Sequence, residues 1–135
     1  MITIEAIIER ASDGSFTVYC QEEIFSGAGE TLKEAKEDMA RQMEFYKETA
    51  LQSGFRSPAF LAGSYQVHYT IDVASLLNYY VGKGIFSLAG LEKVTGINQK
   101  QLWSYLNGTK PRKAQVERIE KGFRSLQKDL DMIFA

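Results

Sequence analysis

The chain has 135 residues, which is enough for one medium-sized domain or two small ones. Hydrophobic residues make up 44% and charged residues 24% of it, and this balance is typical of folded proteins and not of disordered ones. The single cysteine excludes an internal disulfide, and no apolar run approaches the roughly 18 residues that a membrane span requires. The first residues show no signal-peptide pattern, so we expect a cytoplasmic protein without a membrane partner.

Charge is distributed unevenly along the chain. Residues 1–72 contain 12 acidic and 6 basic residues, a net charge of −6, whereas residues 73–135 contain 5 acidic and 10 basic residues, a net charge of +5. This asymmetry suggests partners of opposite charge for the two halves. The basic half suits nucleic acid, because phosphates attract cations whatever the base sequence. Chance segregation of solvated charges is the alternative.

The hydrophobic pattern of residues 1–71 predicts a small β-β-α-β domain. Residues 2–10 and 16–20 alternate between apolar and polar side chains, and Ser12-Asp13-Gly14 between them is a strong turn signal. These two runs therefore predict a β-hairpin. Residues 21–30 are polar and contain glycines, which indicates a loop.

A helix is expected after this loop, and a strand after the helix. Thr31 and Glu34 fit a capping box, in which two side chains accept hydrogen bonds from the free N–H groups at a helix start. The helix carries an apolar stripe from Leu32 to Tyr46, and Ser53-Gly54 ends the helix. Residues 65–71 alternate again and predict a strand, and a further short strand near Phe60 is left open. A helix packed on a small sheet is the expected arrangement.

Residues 72–135 predict an all-α domain that follows the first domain without a flexible linker. Asp72 is a candidate N-cap for a helix from 73 to about 81, and glycines at 82 and 84 stop that helix. The last helix carries an apolar stripe at spacings of three and four residues, made of Val116, Ile119, Phe123, Leu126 and Leu130. We therefore expect an α+β protein with two domains, 1–71 and 72–135.

The segment from Phe86 to Gly108 has the pattern of two short helices joined by a tight turn. Ser87 and Asn98 are candidate N-caps, and Gly96 lies where a helix end requires a left-handed residue. The small residues Ala89 and Gly96 fit a close crossing of two helices. Ile97 is expected to be buried in the turn.

The second of these helices is the candidate DNA-reading element. If Leu102, Tyr105 and Leu106 face inward, a polar face remains open toward a DNA major groove. Glutamine can pair with adenine, and lysine can donate to guanine. Trp103 could pack on a sugar or a thymine methyl, or equally against a neighbouring helix. The candidate DNA-binding residues, which include a basic loop for phosphate contacts, are Gln99, Lys100, Gln101, Trp103, Ser104, Asn107, Lys110, Arg112 and Lys113. A helical bundle without nucleic acid is the alternative.

This region resembles the helix-turn-helix of the lambda-repressor/Cro-like (XRE) family. The residues that carry the resemblance are Leu88-Ala89, Gly96-Ile97, Leu102, Tyr105-Leu106-Asn107-Gly108 and Pro111. The resemblance implies that Gln99, Lys100 and Ser104 occupy base-reading positions and that Asn107 contacts a phosphate. Trp103 stands where the family usually has a polar residue.

The first half resembles the antitoxin HicB. The match lies in Phe16-Thr-Val-Tyr-Cys20 and in Gly27-Ala-Gly-Glu-Thr-Leu-Lys-Glu-Ala35. It implies a partial RNase H-like domain that occludes a small RNA-cleaving toxin, HicA, and a DNA-binding half that represses its own operon. The acidic charge agrees with a basic toxin, although a solvated surface without a partner is the alternative. The candidate toxin-binding residues are Glu22, Glu23, Ile24, Phe25 and Glu30.

Nothing in the sequence predicts catalysis, a metal or a cofactor. Glu5 and Glu9 share one face of a strand, but no convincing third carboxylate joins them for RNase H chemistry. His68 lies in the middle of a strand and is interpreted as structural. We expect a homodimer or higher oligomer formed through the sheet edge or the last helix. A ligand-sensing regulator and, less strongly, an active RNase H-like nuclease are the alternatives to the antitoxin.

Overall fold

The computed structural model describes residues 1–54 and 56–135, which form two compact units, Met1–Asp72 and Val73–Ala135. Within these residues the protein is a mixed α+β structure with a four-stranded sheet and five α-helices. The predicted α+β class is therefore confirmed. None of the helices in the described part combines the length and the apolar character that crossing a membrane requires.

The first unit is a sheet with one long helix on one face. The elements of the unit are β1 (Ile2–Arg10), β2 (Phe16–Cys20), β3 (Ser26–Gly29), α1 (Leu32–Ser53), a short 3-10 helix (Ala59–Ala62) and β4 (Tyr65–Ile71). The antiparallel strands are neighbours in chain order, and the last strand pairs in parallel with the first, so that the sheet order is β3-β2-β1-β4.

The strand β3 corrects the predicted β-β-α-β order to β-β-β-α-β. Residues 21–30 were expected to form a loop because β3 has no β-branched or aromatic side chain. Gly27 and Gly29 are required there, since a Cβ atom at either position would overlap backbone atoms of α1. Close packing against the helix therefore decides the structure of this segment. The sequence left undecided whether a short strand lies near Phe60, and the structure has the 3-10 helix there.

Both ends of α1 have the predicted caps. The Glu34 N–H donates to Thr31 Oγ1 at 3.1 Å, and the Glu30 N–H donates to Glu34 Oε2 at 3.0 Å. Gly54 ends the helix in the left-handed conformation, with φ of 72°. One face of α1 thus packs on the sheet, and the core between them includes Ala6, Ile8, Val18, Cys20, Phe25, Ala35, Met39 and Met43. Burial raises the pKa of the Cys20 thiol, which agrees with a packing role.

The second unit consists of four helices. They are α2 (Val73–Gly82), α3 (Leu88–Thr95), α4 (Gln99–Leu106) and α5 (Lys113–Ile133). Each helix contributes at least one buried apolar side chain to this unit, and the buried apolar residues are Val73, Leu77, Leu91, Ile97, Leu102, Tyr105 and Ile119. The predicted all-α character of the second half is confirmed.

Candidate nucleic-acid interface

The turn between α3 and α4 is fixed by backbone geometry and by side-chain caps. Gly96 ends α3 with φ of 73°, a left-handed conformation that favours glycine. The Gln101 N–H donates to Asn98 Oδ1 at 2.8 Å and so caps the start of α4. Ile97 between them is buried, and its N–H donates to Thr95 Oγ1 at 3.2 Å. The turn therefore sets a defined direction for α4.

Two contacts from other helices hold this turn and the end of α4. Arg118 on α5 donates from Nη2 to the Gly96 carbonyl at 2.7 Å. Asn78 on α2 donates from Nδ2 to the Leu106 carbonyl at 3.1 Å. Both donors satisfy carbonyl oxygens that a helix end leaves free. Sequence reasoning missed both residues, because their role depends on contacts between distant positions.

One face of α4 is buried and the opposite face is open. Leu102 and Tyr105 are buried against the other helices, as predicted from their spacing. Gln99 and Lys100 are exposed, and Trp103 remains 58% exposed. Gln99 Nε2 lies 3.4 Å from Glu92 Oε1, a distance at the long limit of a hydrogen bond. The open face therefore presents an amide, an ammonium group and an indole.

Two further candidate residues on α4 are only partly accessible to a partner. Gln101 and Ser104 are half-buried, and Ser104 Oγ donates to Thr109 Oγ1 at 2.7 Å. At the end of the helix the Asn107 side chain is exposed and donates from Nδ2 to the Trp103 carbonyl at 2.8 Å. Asn107 thus stabilises the C-terminus of α4 through its side-chain amide.

A basic loop follows α4 and leads into α5. Lys110, Arg112 and Lys113 are all exposed. Arg112 occupies the N-cap position of α5, and no side chain among the described residues caps the first N–H groups of that helix. The first turn of α5 also has no acidic residue. Two cations therefore lie at the positive end of a helix dipole, where anions are favoured.

The sequence suggested that Ala89 and Gly96 allow a close crossing of α3 and α4, whereas the glycine that the structure shows at a tight helix contact lies between α3 and α5. Ala89 is exposed and does not serve as the small residue at a buried crossing. Gly122 in the middle of α5 does, since a Cβ atom there would overlap the Val94 carbonyl group of α3. A glycine inside a long helix is unfavourable by about 1 kcal/mol relative to alanine, and this was the signal in the sequence.

The candidate toxin-binding residues of the first unit differ in accessibility. Glu22 and Glu30 are exposed, Glu23 is half-buried, and Ile24 is 76% exposed. Phe25 is only 4% exposed, and its ring contacts the ring of Tyr46 at 5.4 Å between centroids. Phe25 is therefore part of the core of the first unit, and of the five candidates it offers the least surface to a partner.

A shallow groove of about 400 Å³ lies beside Ile24. It is lined by Ile24, Phe25, Arg41, Gln42, Phe45 and Tyr46. Phe45 is 71% exposed, although it lies on the long helix α1. A large exposed aromatic side chain next to an exposed isoleucine is a feature that sequence periodicity did not reveal.

The acidic and histidine side chains on the sheet engage their neighbours. Glu5 on β1 and His68 on β4 are opposite each other in the parallel register, with Oε2 and Nδ1 2.8 Å apart. Glu9 accepts a hydrogen bond from the Tyr19 hydroxyl at 3.1 Å, and burial raises the pKa of that hydroxyl. Asp13 accepts from the Ser15 N–H in the β1–β2 turn at 2.9 Å. Over residues 1–54 and 56–135, no group of three or more such side chains is arranged to hold a metal ion.

No model of a protein family, no curated protein and no solved structure matches this chain.

Proposed function

We propose that the second unit is a helix-turn-helix DNA-binding domain and that α4 is its recognition helix. The observation that carries this proposal is the pairing of a buried apolar face with an open polar face on the same short helix. Leu102 and Tyr105 anchor α4 in the unit, while Gln99 and Lys100 lie exposed at its N-terminal end. A recognition helix meets base edges with its N-terminal residues.

The side-chain chemistry at this end of α4 supports base recognition. The Gln99 amide can donate to and accept from adenine, and Lys100 can donate to guanine O6 or N7. Trp103, one helical turn beyond Gln99, offers an exposed apolar ring to a thymine methyl or a sugar. The caps at Asn98 and Gly96 hold these side chains on a fixed backbone, which reduces the ordering that binding requires.

The basic loop supplies the contacts that position a protein on the duplex. Lys110, Arg112 and Lys113 are exposed and close together in the chain, and phosphate contacts of this kind contribute affinity without reading sequence. The uncapped start of α5 strengthens this interpretation, because a phosphate oxygen would relieve the unfavourable charge there.

DNA binding is tested by fluorescence anisotropy with the promoter fragment of the protein's own operon and with an unrelated duplex. We expect Lys100→Ala to weaken binding to the promoter more than to the unrelated duplex. Arg112→Ala should weaken both and reduce the slope of log affinity against log salt by about 1. Lys83→Ala, which removes an exposed cation outside α4 and the basic loop, is the matched control. Unchanged promoter affinity in both test variants would contradict the assignment of α4 and the loop.

We infer further that the acidic first unit binds a small basic protein. Its net charge of −6 and the exposed Glu22 and Glu30 favour a cationic partner. The resemblance to HicB makes an RNA-cleaving toxin of the HicA type the proposed partner. The chain would then be an antitoxin that neutralises the toxin through a partial RNase H-like domain and represses its own operon through the helix-turn-helix.

Toxin binding is tested by co-purification with the product of a neighbouring reading frame that encodes a short basic protein. We expect a stable complex in which RNA cleavage by the partner is inhibited. The double variant Glu22→Lys/Glu23→Lys should weaken the complex, and the same reversal at Glu37 and Glu44 on α1 is the matched control for net charge. Metal-dependent RNA cleavage by the purified chain alone would instead favour a nuclease.

A further inference from the structure

Glu92 is the single acidic residue between positions 73 and 116, the part of the chain that holds the proposed recognition helix and the basic loop. The same stretch contains six basic residues, and the other four acids of the second unit all lie on α5. A carboxylate in a surface that faces DNA repels the phosphates of every duplex. Glu92 therefore opposes the general attraction to DNA that the six cations provide.

The carboxylate of Glu92 lies beside the first residue of α4. Glu92 is half-buried on α3, and its Oε1 accepts from Gln99 Nε2 at 3.4 Å. The backbone on the α3 side is fixed, because the Gly96 N–H donates to the Glu92 carbonyl at 2.8 Å and Arg118 holds the Gly96 carbonyl. Within the described part of the chain Glu92 forms no ion pair with a lysine or an arginine, so its charge acts on the Gln99 amide without a neutralising cation.

This contact distinguishes the two ends of the Gln99 amide. A glutamine side chain has an NH₂ end that donates and a carbonyl end that accepts, whereas an ionised carboxylate only accepts. Glu92 therefore attracts the NH₂ end of Gln99. A reversed amide would bring the Gln99 carbonyl oxygen against the carboxylate of Glu92, which is unfavourable. The Gln99 Oε1 and the second N–H of its Nε2 are left for a partner.

We infer that Glu92 is a positioning residue that makes Gln99 select a base with an exocyclic amine. In the major groove, adenine N6 and cytosine N4 donate, whereas guanine O6 and thymine O4 accept and would face the Gln99 Oε1 as a second acceptor. Adenine fits best, because its N7 can also accept the second N–H of Nε2. The inference rests on the proposed function, since it requires α4 to lie in a major groove.

The charge of Glu92 contributes to selectivity in a second way. It lowers affinity for unrelated duplexes, whereas at the selected site the oriented Gln99 amide offsets this loss through its contacts with the base. A repulsive element that acts against the wrong partner raises specificity. The ratio of specific to non-specific affinity is what decides occupancy when many competing sites are present.

Selection of binding sites from a library of random DNA duplexes tests the role of Glu92. We expect the wild-type chain to enrich adenine over guanine by about fivefold or more at one position of the site. Gln99→Ala should abolish this preference and so identify the position. Glu92→Gln keeps the shape of the side chain, but the new amide can donate as well as accept. It should therefore admit guanine and thymine at that position and leave the preference at the other positions unchanged.

Glu117→Gln, which removes an exposed acid from α5, is the matched control for net charge. Both Glu→Gln variants should raise affinity for an unrelated duplex at low salt by about 1.5-fold to fivefold, but only Glu92→Gln should change the base preference. The circular dichroism of each variant should match that of the wild-type chain.

The outcomes separate the inference from the proposed function. If Glu92→Gln keeps the wild-type preference at the position that Gln99→Ala identifies, the inference is overturned and DNA binding by α4 stands. The inference also fails if Gln99→Ala alters no position, or if Glu117→Gln changes the base preference as much as Glu92→Gln does. A wild-type chain that enriches no sequence at all would contradict the proposed recognition helix, and the role of Glu92 with it.

Discussion

Trp103 lies on the open face of α4 and is the single tryptophan of the chain. The sequence left two interpretations for it, contact with DNA or packing as an anchor. An exposed fraction of 58% leaves most of the indole without cover inside the protein. Its fluorescence therefore reports directly on the surface that we assign to DNA.

We predict that DNA protects Trp103 from a quencher in solution. Acrylamide should quench the free protein efficiently, and quenching should fall by about half or more when promoter DNA is bound, because the ring leaves water for the duplex surface. The measurement is a Stern–Volmer titration with and without DNA. Equal quenching in both, at a DNA concentration that saturates anisotropy, would place Trp103 outside the interface.

Arg112 holds the N-cap position of α5 without capping it. A serine there could accept a hydrogen bond from a free N–H and would remove a cation from the positive helix end. We predict that Arg112→Ser raises the free energy of unfolding by about 1 kcal/mol and weakens DNA binding. Urea unfolding and anisotropy measure the two effects. Lys110→Ser removes the same charge without creating a cap, so it should weaken binding without the gain in stability; equal stability changes in the two variants would refute the capping argument.

At the scale of elements, two glycines fix how closely helices approach their neighbours. Gly27 allows α1 to pack closely on the sheet, and Gly122 allows the end of α3 to pack closely on α5. Both lie where sequence propensity alone favours a different residue. Their presence is explained by packing between elements and not by the conformation of the chain around them.

We predict that Gly122→Ala destabilises the second unit, against the helix propensity of alanine. Propensity alone would stabilise α5 by about 1 kcal/mol, but the new methyl group would force α3 and α5 apart at a cost of roughly 1–3 kcal/mol. Gly82→Ala is the matched control, since a Cβ atom there meets nothing within 4 Å. Chemical denaturation should show a lower midpoint for the first variant only. A midpoint for Gly122→Ala at or above the wild-type value would show that the crossing can relax.

The elements with a strong local signal could be predicted from the sequence. The β1–β2 hairpin, α1 with its capping box, β4, and the helices on both sides of Gly96 all follow from periodicity, turns and caps. The strand β3 could not be predicted, since its four residues gain their structure from the helix that covers them. The burial of Phe25 has a related cause, because its ring packs against the rings of Tyr46 and Phe60, which are distant in sequence.

The candidate DNA interface was predictable in part at the same scale. The exposed and buried faces of α4 follow from the spacing of Leu102 and Tyr105. Arg118, which holds the turn from 22 residues away, has no local signal. Long-range hydrogen bonds of this kind appear only when the helices are packed together.

For the whole molecule, the net charge of −1 conceals a negative first unit and a positive second unit. The charge of the first unit repels a DNA backbone over a distance that depends on salt, because the Debye length falls from about 30 Å at 0.01 M to about 10 Å at 0.1 M. If the second unit binds DNA as proposed, the affinity of the full chain for DNA is the sum of these opposing electrostatic effects.

We predict that the triple variant Glu37→Gln/Glu44→Gln/Glu48→Gln, with all three changes on exposed positions of α1, binds unrelated DNA more tightly at low salt. The expected gain is several-fold at about 0.01–0.05 M salt and disappears near 0.3 M, where screening is nearly complete. Anisotropy over a salt series measures it. A gain that is independent of salt would indicate a direct contact in place of long-range repulsion.

The position of β1 in the sheet has a consequence for the newly made chain. The ribosome produces β1 before its parallel neighbour β4, which emerges only after residue 65, on the order of 3–10 s later at usual rates of synthesis. During this interval one side of β1 presents unpaired backbone groups to other nascent chains. Glu5 is exposed on β1 and later lies beside His68 of β4. Its negative charge on the unpaired strand disfavours association of β1 with another nascent chain before β4 pairs with it.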